Sequence, residues 1–418
     1  MKVKLKDVCS VVVPLRDKPK KFTDESRGIP WCRIEDIEGK YLNGTKSGQY
    51  VDTDTIASMN LKVFPAGTVL CAVTGASIGT FAITTRELIT NQTFAGLVCG
   101  PKIYNQFLYY YVKLLTKVFV DMSVGCAQAY IKRETFEDLD IDLPPFDEQV
   151  MIVKLLEGFD DRITNNTAIS SYLESMTKLI YDYWFVQFDF PDENGKPYKS
   201  SGGKMVWSTK LQREIPEGWQ TTLLGEKCKV LLGGTPDTGT PEYWNGEIPW
   251  LSSGEAANSP VVASEKTITA VGKDKSTTAF AKAGAVVMSI TRYIRPAILG
   301  IDACFNQSVV AVLPTEDLHT SFLYPFMKSQ VPRYLMLRTG AQHPHINQDI
   351  VKHTPFLCPP TDLLNRYNKV ADILVETQIE YAKQTKQLVE LRDWLLPMLM
   401  NGQVKVSPTE TGAPNVST

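Results

Sequence analysis

The sequence predicts an α+β protein in which two similar globular segments, rich in strands with some helix, are each followed by one long helix. Two observations predict this arrangement. The stretches 147–187 and 361–401 carry apolar residues at alternating steps of three and four, the heptad pattern of a helix packed along another helix. The globular stretches before them share short motifs in the same order. A chain of 418 residues is also too long for a single hydrophobic core.

Matched motifs recur at an offset of 215 to 219 residues. They are IPW at 29–31 and 248–250, Asn-Gln at 91–92 and 306–307, FLY at 107–109 and 322–324, and Pro-Pro at 144–145 and 359–360. A unit of about 215 residues is much longer than a solenoid repeat. The conserved order of the matches therefore predicts an internal duplication of a whole domain with its helix.

The two helices are predicted to pair with each other, because their heptad positions coincide at an offset of 215. The first predicted seam is Ile152, Leu155, Phe159, Arg162, Asn166, Ile169, Leu173, Met176, Ile180 and Tyr183. The second is Tyr367, Val370, Leu374, Thr377, Tyr381, Gln384, Leu388, Leu391, Leu395 and Met398. Their polar members either fix the register or face solvent. An antiparallel coiled coil of such helices, each about 60 Å long, would relate the two halves by a pseudo-twofold axis.

Local patterns predict the smaller elements. Short β-prone runs at 61–98 predict several strands, the apolar stretch 104–120 predicts a buried helix, and Asp147 is the predicted N-cap of the first long helix. Residues 191–205 have the Pro, Gly, Ser and Lys content of a linker. The predicted boundaries are 1–146 and 215–360 for the globular segments, 147–187 and 361–404 for the long helices, 188–214 for a connector and 405–418 for a disordered tail.

Composition indicates a globular protein outside the membrane and secreted classes. Apolar residues make up 43% and charged residues 22%, and no apolar run reaches the roughly 18 residues that span a bilayer. The N-terminus lacks the features of a signal peptide, and the eight cysteines are scattered singly, as in a reducing compartment. We therefore expect a cytoplasmic protein. The net charge of −2 permits nucleic-acid binding, because the acid is concentrated on the helices and the globular segments are mildly basic.

Catalytic motifs are not found in the sequence. The glycine-rich stretch 233–241 lacks the lysine of a P-loop, and no G-x-G-x-x-G follows a predicted strand. LPPF at 143–146 resembles the Asn/Asp-Pro-Pro-Tyr/Phe motif of amino-methyltransferases only superficially, because Leu143 replaces the polar residue that would hold the target amine. The histidines of HPHINQ at 343–348 lack further convergent metal ligands. We therefore expect a non-enzyme with no metal or cofactor of its own.

The two halves differ most in two pairs of loops, where a duplicated scaffold would carry different specificities. Residues 74–81 correspond to 289–298, and residues 123–133 correspond to 338–348. Arginines there could bind guanine and amides could pair with adenine, whereas the alternative is capping of strands or contact with phosphate. The candidate DNA-binding residues are Thr74, Ser77, Gln128, Tyr130, Lys132, Arg133, Arg292, Tyr293, Arg295, Gln342, His343, His345 and Asn347.

Several motifs resemble those of one family, the DNA specificity subunits of type I restriction-modification systems. They are LPPFDEQ at the start of the first long helix, YDYWFVQFDF and GKPYKSSGGKM after it, IPEGW at the start of the second half, and LRDWLLPMLMNGQV near the end. The second long helix departs from this pattern, because it begins with CPPTDLL at 358–364.

The resemblance implies that each globular segment is a target recognition domain that reads one half of a bipartite, asymmetric site in double-stranded DNA. It implies that the helices set the spacer and dock two modification (methyltransferase) subunits, which restriction subunits join. Adenine methylation, cleavage and the binding of S-adenosylmethionine, ATP and Mg²⁺ would reside in those partners. The alternatives are a duplicated coiled-coil scaffold that binds proteins or glycans, and a self-contained methyltransferase. Neither the bases read nor the spacer length follows from the sequence.

Overall fold

A computed structural model of the chain describes residues 1–14, 18–123, 129–291, 294–340, 344–408 and 414–417. The fold divides into two compact units, residues 1–161 with 389–418 and residues 162–388. The division passes through both long helices, whereas the sequence predicted boundaries at the helix ends. Each unit therefore consists of one globular segment and one end of each long helix.

The first unit is built from short strands and helices. Its strands are β1 (Lys2–Lys4), β2 (Cys9–Val12), β3 (Ile29–Cys32), β4 (Tyr41–Leu42), β5 (Tyr50–Val51), β6 (Val63–Phe64), β7 (Val69–Ala72), β8 (Phe81–Thr84), β9 (Leu88–Thr90), β10 (Phe94–Cys99) and β11 (Asp140–Asp142). Its helices are α1 (Thr53–Ser58), α2 (Asn105–Leu114), α3 (Thr116–Asp121), α4 (Arg133–Glu137) and the start of α5 (Phe146–Tyr181). One sheet has the order β2-β10-β7-β8-β4, another β5-β3-β9-β6, and β1 pairs with β11. The strands predicted at 61–98 are present, whereas the single helix predicted at 104–120 is divided into α2 and α3 at Leu115.

The second unit begins within α5, which continues as a π-helical turn at Asp182–Val186. Its strands are β12 (Met205–Ser208), β13 (Arg213–Pro216), β14 (Gln220–Leu223), β15 (Val230–Leu232), β16 (Trp244–Leu251), β17 (Lys266–Ile268), β18 (Ala279–Ala281), β19 (Val286–Ser289), β20 (Pro296–Ile298), β21 (Ala303–Phe305), β22 (Val309–Val312) and β23 (Pro355–Cys358). Its helices are α6 (Leu224–Lys227), α7 (Ala270–Asp274), α8 (Thr320–Ser329), α9 (Val331–Met336), α10 (Gln348–Lys352) and the start of α11 (Thr361–Met400).

The two units have the same strand order. The second unit has sheets β15-β22-β19-β20 and β17-β16-β21-β18 and the pair β14-β23, which match the first unit strand by strand. In each unit the two central strands of one sheet are parallel, β3 with β9 and β16 with β21. The other strand pairs of the matched sheets are antiparallel in both units. The additional strand β4 of the first unit is parallel to β8. None of the described helices combines the length and the apolar character needed to cross a bilayer.

Each core includes residues from both long helices. In the first unit, Leu156 of α5 and Leu396 of α11 belong to the cluster that contains the buried face of α2. In the second unit, Tyr181 of α5 and Tyr367 of α11 pack in the cluster that contains Phe322 of α8. The apolar residues of the helix ends are therefore buried against the globular segments, which provides most of the stability of such helices.

The long helices form as predicted, but part of the predicted seam is wrong. Its residues Met176, Tyr183, Val370 and Leu391 are exposed. Its polar residues Arg162 and Gln384 are also exposed, as the solvent-facing alternative predicted. The buried positions follow a heptad shifted by about one residue. Several of them are polar, namely Gln149, Thr177, Asn368 and Gln378. An apolar pattern cannot detect polar seam residues, and the mismatch between 3.5 and 3.6 residues per turn moves the phase along a long helix.

The ends of the long helices also differ from the prediction. Helix α5 begins at Phe146, so Asp147 lies in its first turn and is not the N-cap. There its carboxylate is favoured by the positive end of the helix dipole. At the C-terminus, where the sequence predicted disorder from residue 405, β24 (Lys405–Pro408) pairs with β25 (Pro414–Ser417) as an antiparallel hairpin. Val404, which precedes β24, is buried in the core of the first unit.

The connector is ordered against the second unit, although its composition resembles that of a linker. Phe190 stacks between Tyr198 and Trp219, with ring centroids 4.7 Å and 5.5 Å away. Strands β12 and β13 of the same region form a hairpin. Stacked aromatic rings thus hold a segment whose Gly, Ser and Lys content alone predicts flexibility.

A buried glutamine ties the start of α5 to the first globular segment. Gln149 is fully buried, and its Oε1 accepts a hydrogen bond from the Tyr104 N–H at 2.8 Å. Its Nε2 donates to the carbonyl oxygens of Lys102 and Pro144 at 3.0 and 2.9 Å. Gln149 is the last residue of LPPFDEQ, so this motif fixes the position where the helix leaves the sheet.

The second half makes the equivalent connection with a different residue. The counterpart of Gln149 at an offset of 215 is the buried Leu364, the last residue of CPPTDLL. One turn later, Asn368 Nδ2 donates to the carbonyl of Asp317 at 3.0 Å, and Asp317 is the counterpart of Lys102. The buried Oδ1 of Asn368 has no hydrogen-bond partner among the residues described. The departure from the motif thus moves the contact by one helical turn.

We predict that Gln149→Leu destabilises the first unit by about 3 kcal/mol, because it removes three hydrogen bonds that a fully buried side chain makes to the backbone. Urea unfolding followed by circular dichroism would measure this change. The matched control is Gln384→Leu on α11, where the glutamine is exposed and the expected change is below about 0.5 kcal/mol. Equal stability of the two variants would contradict the assigned role of Gln149.

Candidate functional site

In the first unit, the loop after β7 meets the segment before α4. The Gly75 N–H donates to the Ala129 carbonyl at 2.8 Å, and the Ile131 N–H donates to the Val73 carbonyl at 2.9 Å. Gly75 has a φ of 55°, a conformation that glycine adopts without steric cost, and it opens a single 3₁₀ turn. Backbone hydrogen bonds therefore hold these two loops side by side.

Three of the predicted residues lie together on this pair of loops. Thr74 forms a backbone bridge with Tyr130, and the Ser77 hydroxyl donates to the Thr74 carbonyl at 2.5 Å. All three side chains are half-buried, and Lys132, which directly precedes α4, is exposed. The loop pair thus presents hydroxyl groups, a phenol and one cation at a single place.

Arg133 belongs to a different surface. Its Nε donates to Glu137 Oε1 at 2.7 Å. The two side chains line a groove of about 580 Å³ along β2, together with Lys6 and Lys102. Its ion pair with the next turn of α4 is a local helix contact, so Arg133 is not grouped with the loop residues.

The second unit brings together the equivalent loops. The Ile346 N–H donates to the Ile290 carbonyl at 2.9 Å, which joins the loop after β19 to the segment before α10. Thr339 and His345 exchange two backbone hydrogen bonds of 2.9 Å each. His345 is exposed and Ile346 is buried. The buried isoleucine anchors the loop, as Ile131 does in the first unit.

Two other predicted residues of the second unit have defined surroundings. Arg295 is exposed and lines a groove of about 440 Å³ with Glu174 and Tyr324. Asn347 Oδ1 accepts a hydrogen bond from the Ile350 N–H at 2.9 Å and caps α10, so a bidentate contact with adenine would require this cap to break. The predicted residues that lie outside the described part of the chain are Gln128, Arg292, Tyr293, Gln342 and His343.

Polar contacts between α5 and the globular segments were missed by the sequence prediction. In the first unit, Asp160 accepts hydrogen bonds from the Tyr110 hydroxyl at 2.5 Å and from Arg392 Nη1 at 2.7 Å. Burial, followed by the hydrogen bond to Asp160, raises the pKa of Tyr110, so its hydroxyl keeps its proton. Nearby, Lys40 Nζ donates to Glu157 Oε1 at 2.8 Å. The partners are far apart in the chain, and no local pattern marks them.

Several of the described cysteines are buried. Burial raises the pKa of Cys9, Cys32 and Cys228 to about 12, so their thiolates are scarce at neutral pH. Within the described ranges, no three His, Cys, Asp or Glu side chains come close enough to hold a metal ion. The loop pairs are the candidate functional sites.

Comparisons with known proteins agree with this organisation. The family model of the type I restriction modification DNA specificity domain matches residues 1–175 and again residues 216–391. The MjaIX type I restriction enzyme specificity subunit of Methanocaldococcus jannaschii is 24% identical over 386 residues, which cover 90% of this chain and 87% of that protein. The HindI specificity subunit of Haemophilus influenzae is 19% identical over 322 residues, covering 65% and 70%.

The fold is also similar to that of a solved structure. The crystal structure of the S subunit of the type I restriction-modification system from M. genitalium aligns with a TM-score of 0.56 at 16% identity, and the alignment covers 96% of both chains. Because the family model matches most of the chain in two copies, this chain belongs to the family of type I restriction modification DNA specificity domains.

Proposed function

We propose that this chain is the non-catalytic DNA-recognition subunit of a type I restriction-modification complex, and that each globular segment reads one half of a bipartite, asymmetric DNA site. The observation that carries this proposal is the repeated placement of a loop pair on two globular segments with the same strand order, in a chain that the specificity-domain model matches twice. The loops occupy corresponding positions but carry different side chains, as two readers of different sequences require.

The chemistry of the loops suits base and phosphate contacts. Thr74, Ser77, Tyr130 and Lys132 provide hydroxyl groups and a cation in the first unit, and Arg295 and His345 are exposed in the second. These side chains can bind phosphates and base edges in the major groove. Arg292, Tyr293, Gln128, Gln342 and His343 belong to the same loops by sequence and complete the proposed contact set.

The long helices serve as the spacer between the two half-sites. Contacts inside each unit support an antiparallel direction of the two helices. In the first, Asp160 near the start of α5 bonds Arg392 near the end of α11, and in the second, Trp184 packs on Tyr367 near the start of α11 at 5.6 Å. Polar residues at buried helix positions define such a register better than apolar ones.

Two modification subunits dock on equivalent faces of the helices. In the second unit, Met176 and Leu179 on α5 are 49% and 67% exposed. At an offset of 215, Leu391 and Trp394 on α11 in the first unit are 44% and 63% exposed. Exposed apolar groups on one helix face mark protein interfaces, and their repetition in both halves favours two copies of one partner.

The remaining activities belong to the partners. Adenine methylation and ATP-dependent cleavage, with the binding of S-adenosylmethionine, ATP and Mg²⁺, are assigned to the modification and restriction subunits. This chain recognises the target DNA sequence and provides the surface on which the complex assembles in the cytoplasm.

Selection from a random duplex pool tests the recognition role. With the modification subunits bound, the chain should enrich one sequence made of two specific halves and a fixed spacer. A chimera whose residues 206–360 come from another family member should enrich a new second half and keep the first unchanged, because each segment reads alone. The absence of enrichment by the original chain would refute recognition, and a change in both halves would refute independent readers.

Substitution of the helix faces tests the docking role. Leu179→Ser and Trp394→Ser should each reduce the bound modification subunits from two to one, with at least about thirtyfold weaker binding at the altered face, as for an interface hot spot. Native mass spectrometry would count the subunits. The control is Met336→Ser, which alters an exposed apolar residue of a globular segment and should leave both subunits bound. If a variant that carries both Leu179→Ser and Trp394→Ser still bound two subunits, these faces would not be the docking sites.

Asn347 is expected to act as a helix cap and not as a base contact. Asn347→Ala should lower the free energy of unfolding by about 1 kcal/mol and leave the selected DNA sequence unchanged, whereas Asn347→Asp should keep the cap and the stability. Thermal unfolding and duplex selection on the same variants measure both properties. An altered base preference with unchanged stability would assign Asn347 to DNA recognition instead.

A further inference from the structure

We infer that Glu174 is a positioning residue that fixes the angle of the second globular segment on α5 and thereby narrows the range of spacer lengths that the protein accepts. The inference rests on the proposed function. Glu174 lies on α5 within the second unit, outside the two loop pairs and outside the buried apolar cluster at the end of that helix.

Glu174 connects α5 to α8 through two hydrogen bonds on one carboxylate oxygen. The Tyr324 hydroxyl donates to Glu174 Oε1 at 2.7 Å, and Lys328 Nζ donates to the same atom at 2.5 Å. Tyr324 and Lys328 are four residues apart and share one face of α8. Tyr324 is buried in the core, and burial, followed by the charge of Glu174, raises its pKa, so the hydroxyl remains a donor at physiological pH.

A cleft lies beside this contact. A cavity of about 240 Å³ lies between α5 and α8 beside Glu174, lined by Ser171, Ser175 and Pro325 among others. The apolar residues Met176 and Leu179 of this stretch are exposed and do not fill it. Hydrogen bonds to Glu174 therefore contribute to the attachment of this part of α5 to α8.

A second attachment point on α5 restricts the angle between this helix and the second globular segment. The apolar attachment of α5 to the segment is at Tyr181 and Phe185, whose rings contact Phe322 with centroid distances of 5.4 and 4.8 Å. Glu174 precedes Tyr181 by seven residues, which is about 10 Å along a helix. The Glu174 contact adds an attachment of α5 to the segment at a distance from the aromatic cluster and opposes rotation about that cluster.

The contact also adjoins a candidate recognition loop. Arg295 and Pro296, which follow β19, line the groove of about 440 Å³ that Glu174, Tyr324 and Lys328 also line. Rotation of the segment about the aromatic cluster would therefore move this loop relative to α5, which is the proposed spacer. A change in that angle alters where the second half-site must lie.

The first unit has a similar contact, but its residues on the long helices are not related to Glu174 by the internal repeat. There Asp160 of α5 accepts from the Tyr110 hydroxyl. At an offset of 215, the counterparts of Asp160 and Glu174 are Val375 and Val389 on α11, which cannot accept hydrogen bonds through their side chains. In both units a carboxylate of α5 thus receives a tyrosine hydroxyl, so α5 contacts both segments through the same type of hydrogen bond.

The experiment uses the full chain with its modification subunits. Methylation is measured on duplexes that keep both half-sites and have the natural spacer, one base pair fewer or one base pair more. Glu174→Ala should raise the methylation rate on the altered spacers relative to the natural spacer by about tenfold, the size expected for losing a hydrogen bond to a charged group. Glu174→Gln, which keeps an acceptor oxygen, should give a smaller increase. The control is Glu376→Ala, which removes an exposed glutamate of α11 and should change no ratio.

A second variant allows the inference to be tested even if the Glu174→Ala chain does not fold. Tyr324→Phe removes only the hydroxyl and leaves the ring in the core, so it decides the result if the Glu174→Ala chain does not fold. Relaxed spacer selectivity with unchanged half-site sequences in either folded variant supports the inference. Unchanged spacer selectivity in the folded variants overturns it and leaves the proposed function intact. A parent complex with no sequence preference at all would overturn both.

Discussion

The pairing of the long helices in the first unit depends on one partly buried carboxylate. Asp160 binds both Arg392 and Tyr110, and the two charged side chains are only 26% and 15% exposed. Removing two charges from water is costly unless they meet with good geometry, so another register would leave a charge without its partner. In the second unit, the residue that corresponds to Asp160 is Val375, and the residue that corresponds to Arg392 is Thr177. The ion pair therefore distinguishes the two ends of the helix pair, which apolar heptads alone would make interchangeable.

Sequence periodicity predicted the elements because helix and strand periods are local properties. Both long helices, the strands at 61–98 and helical structure within 104–120, there as the two helices α2 and α3, are present for this reason. The phase of the seam was not predictable, because Gln149 and Gln378 are buried by partners that the heptad does not reveal. The composition of the connector wrongly predicted a flexible linker for a related reason, because Phe190 stacks on Trp219 from a later part of the chain.

The candidate site could be predicted in outline and not in detail. The loops were identified because the two halves differ there, and the structure brings Thr74 and Tyr130 together as neighbours. The cap made by Asn347 was accessible from sequence, because an asparagine before a short helix is a common N-cap. The contact between Glu174 and Tyr324 was not, because the residues are 150 positions apart and each is unremarkable in its own helix. Burial and long-range partners decide such contacts.

The loop pairs are joined by the backbone, and this explains how one scaffold can present different side chains. Gly75 and Ile131 in the first unit, and Ile346 in the second, form their inter-loop hydrogen bonds through main-chain N–H groups. A main-chain bond is unaffected by most substitutions of the side chain that it carries. Among the described residues, the buried isoleucines and the glycines with positive φ, such as Gly75 and Gly340, constrain the sequence of these loops. The neighbouring positions can then change their chemistry at little cost in stability, which is the property that a DNA reader with a variable target requires.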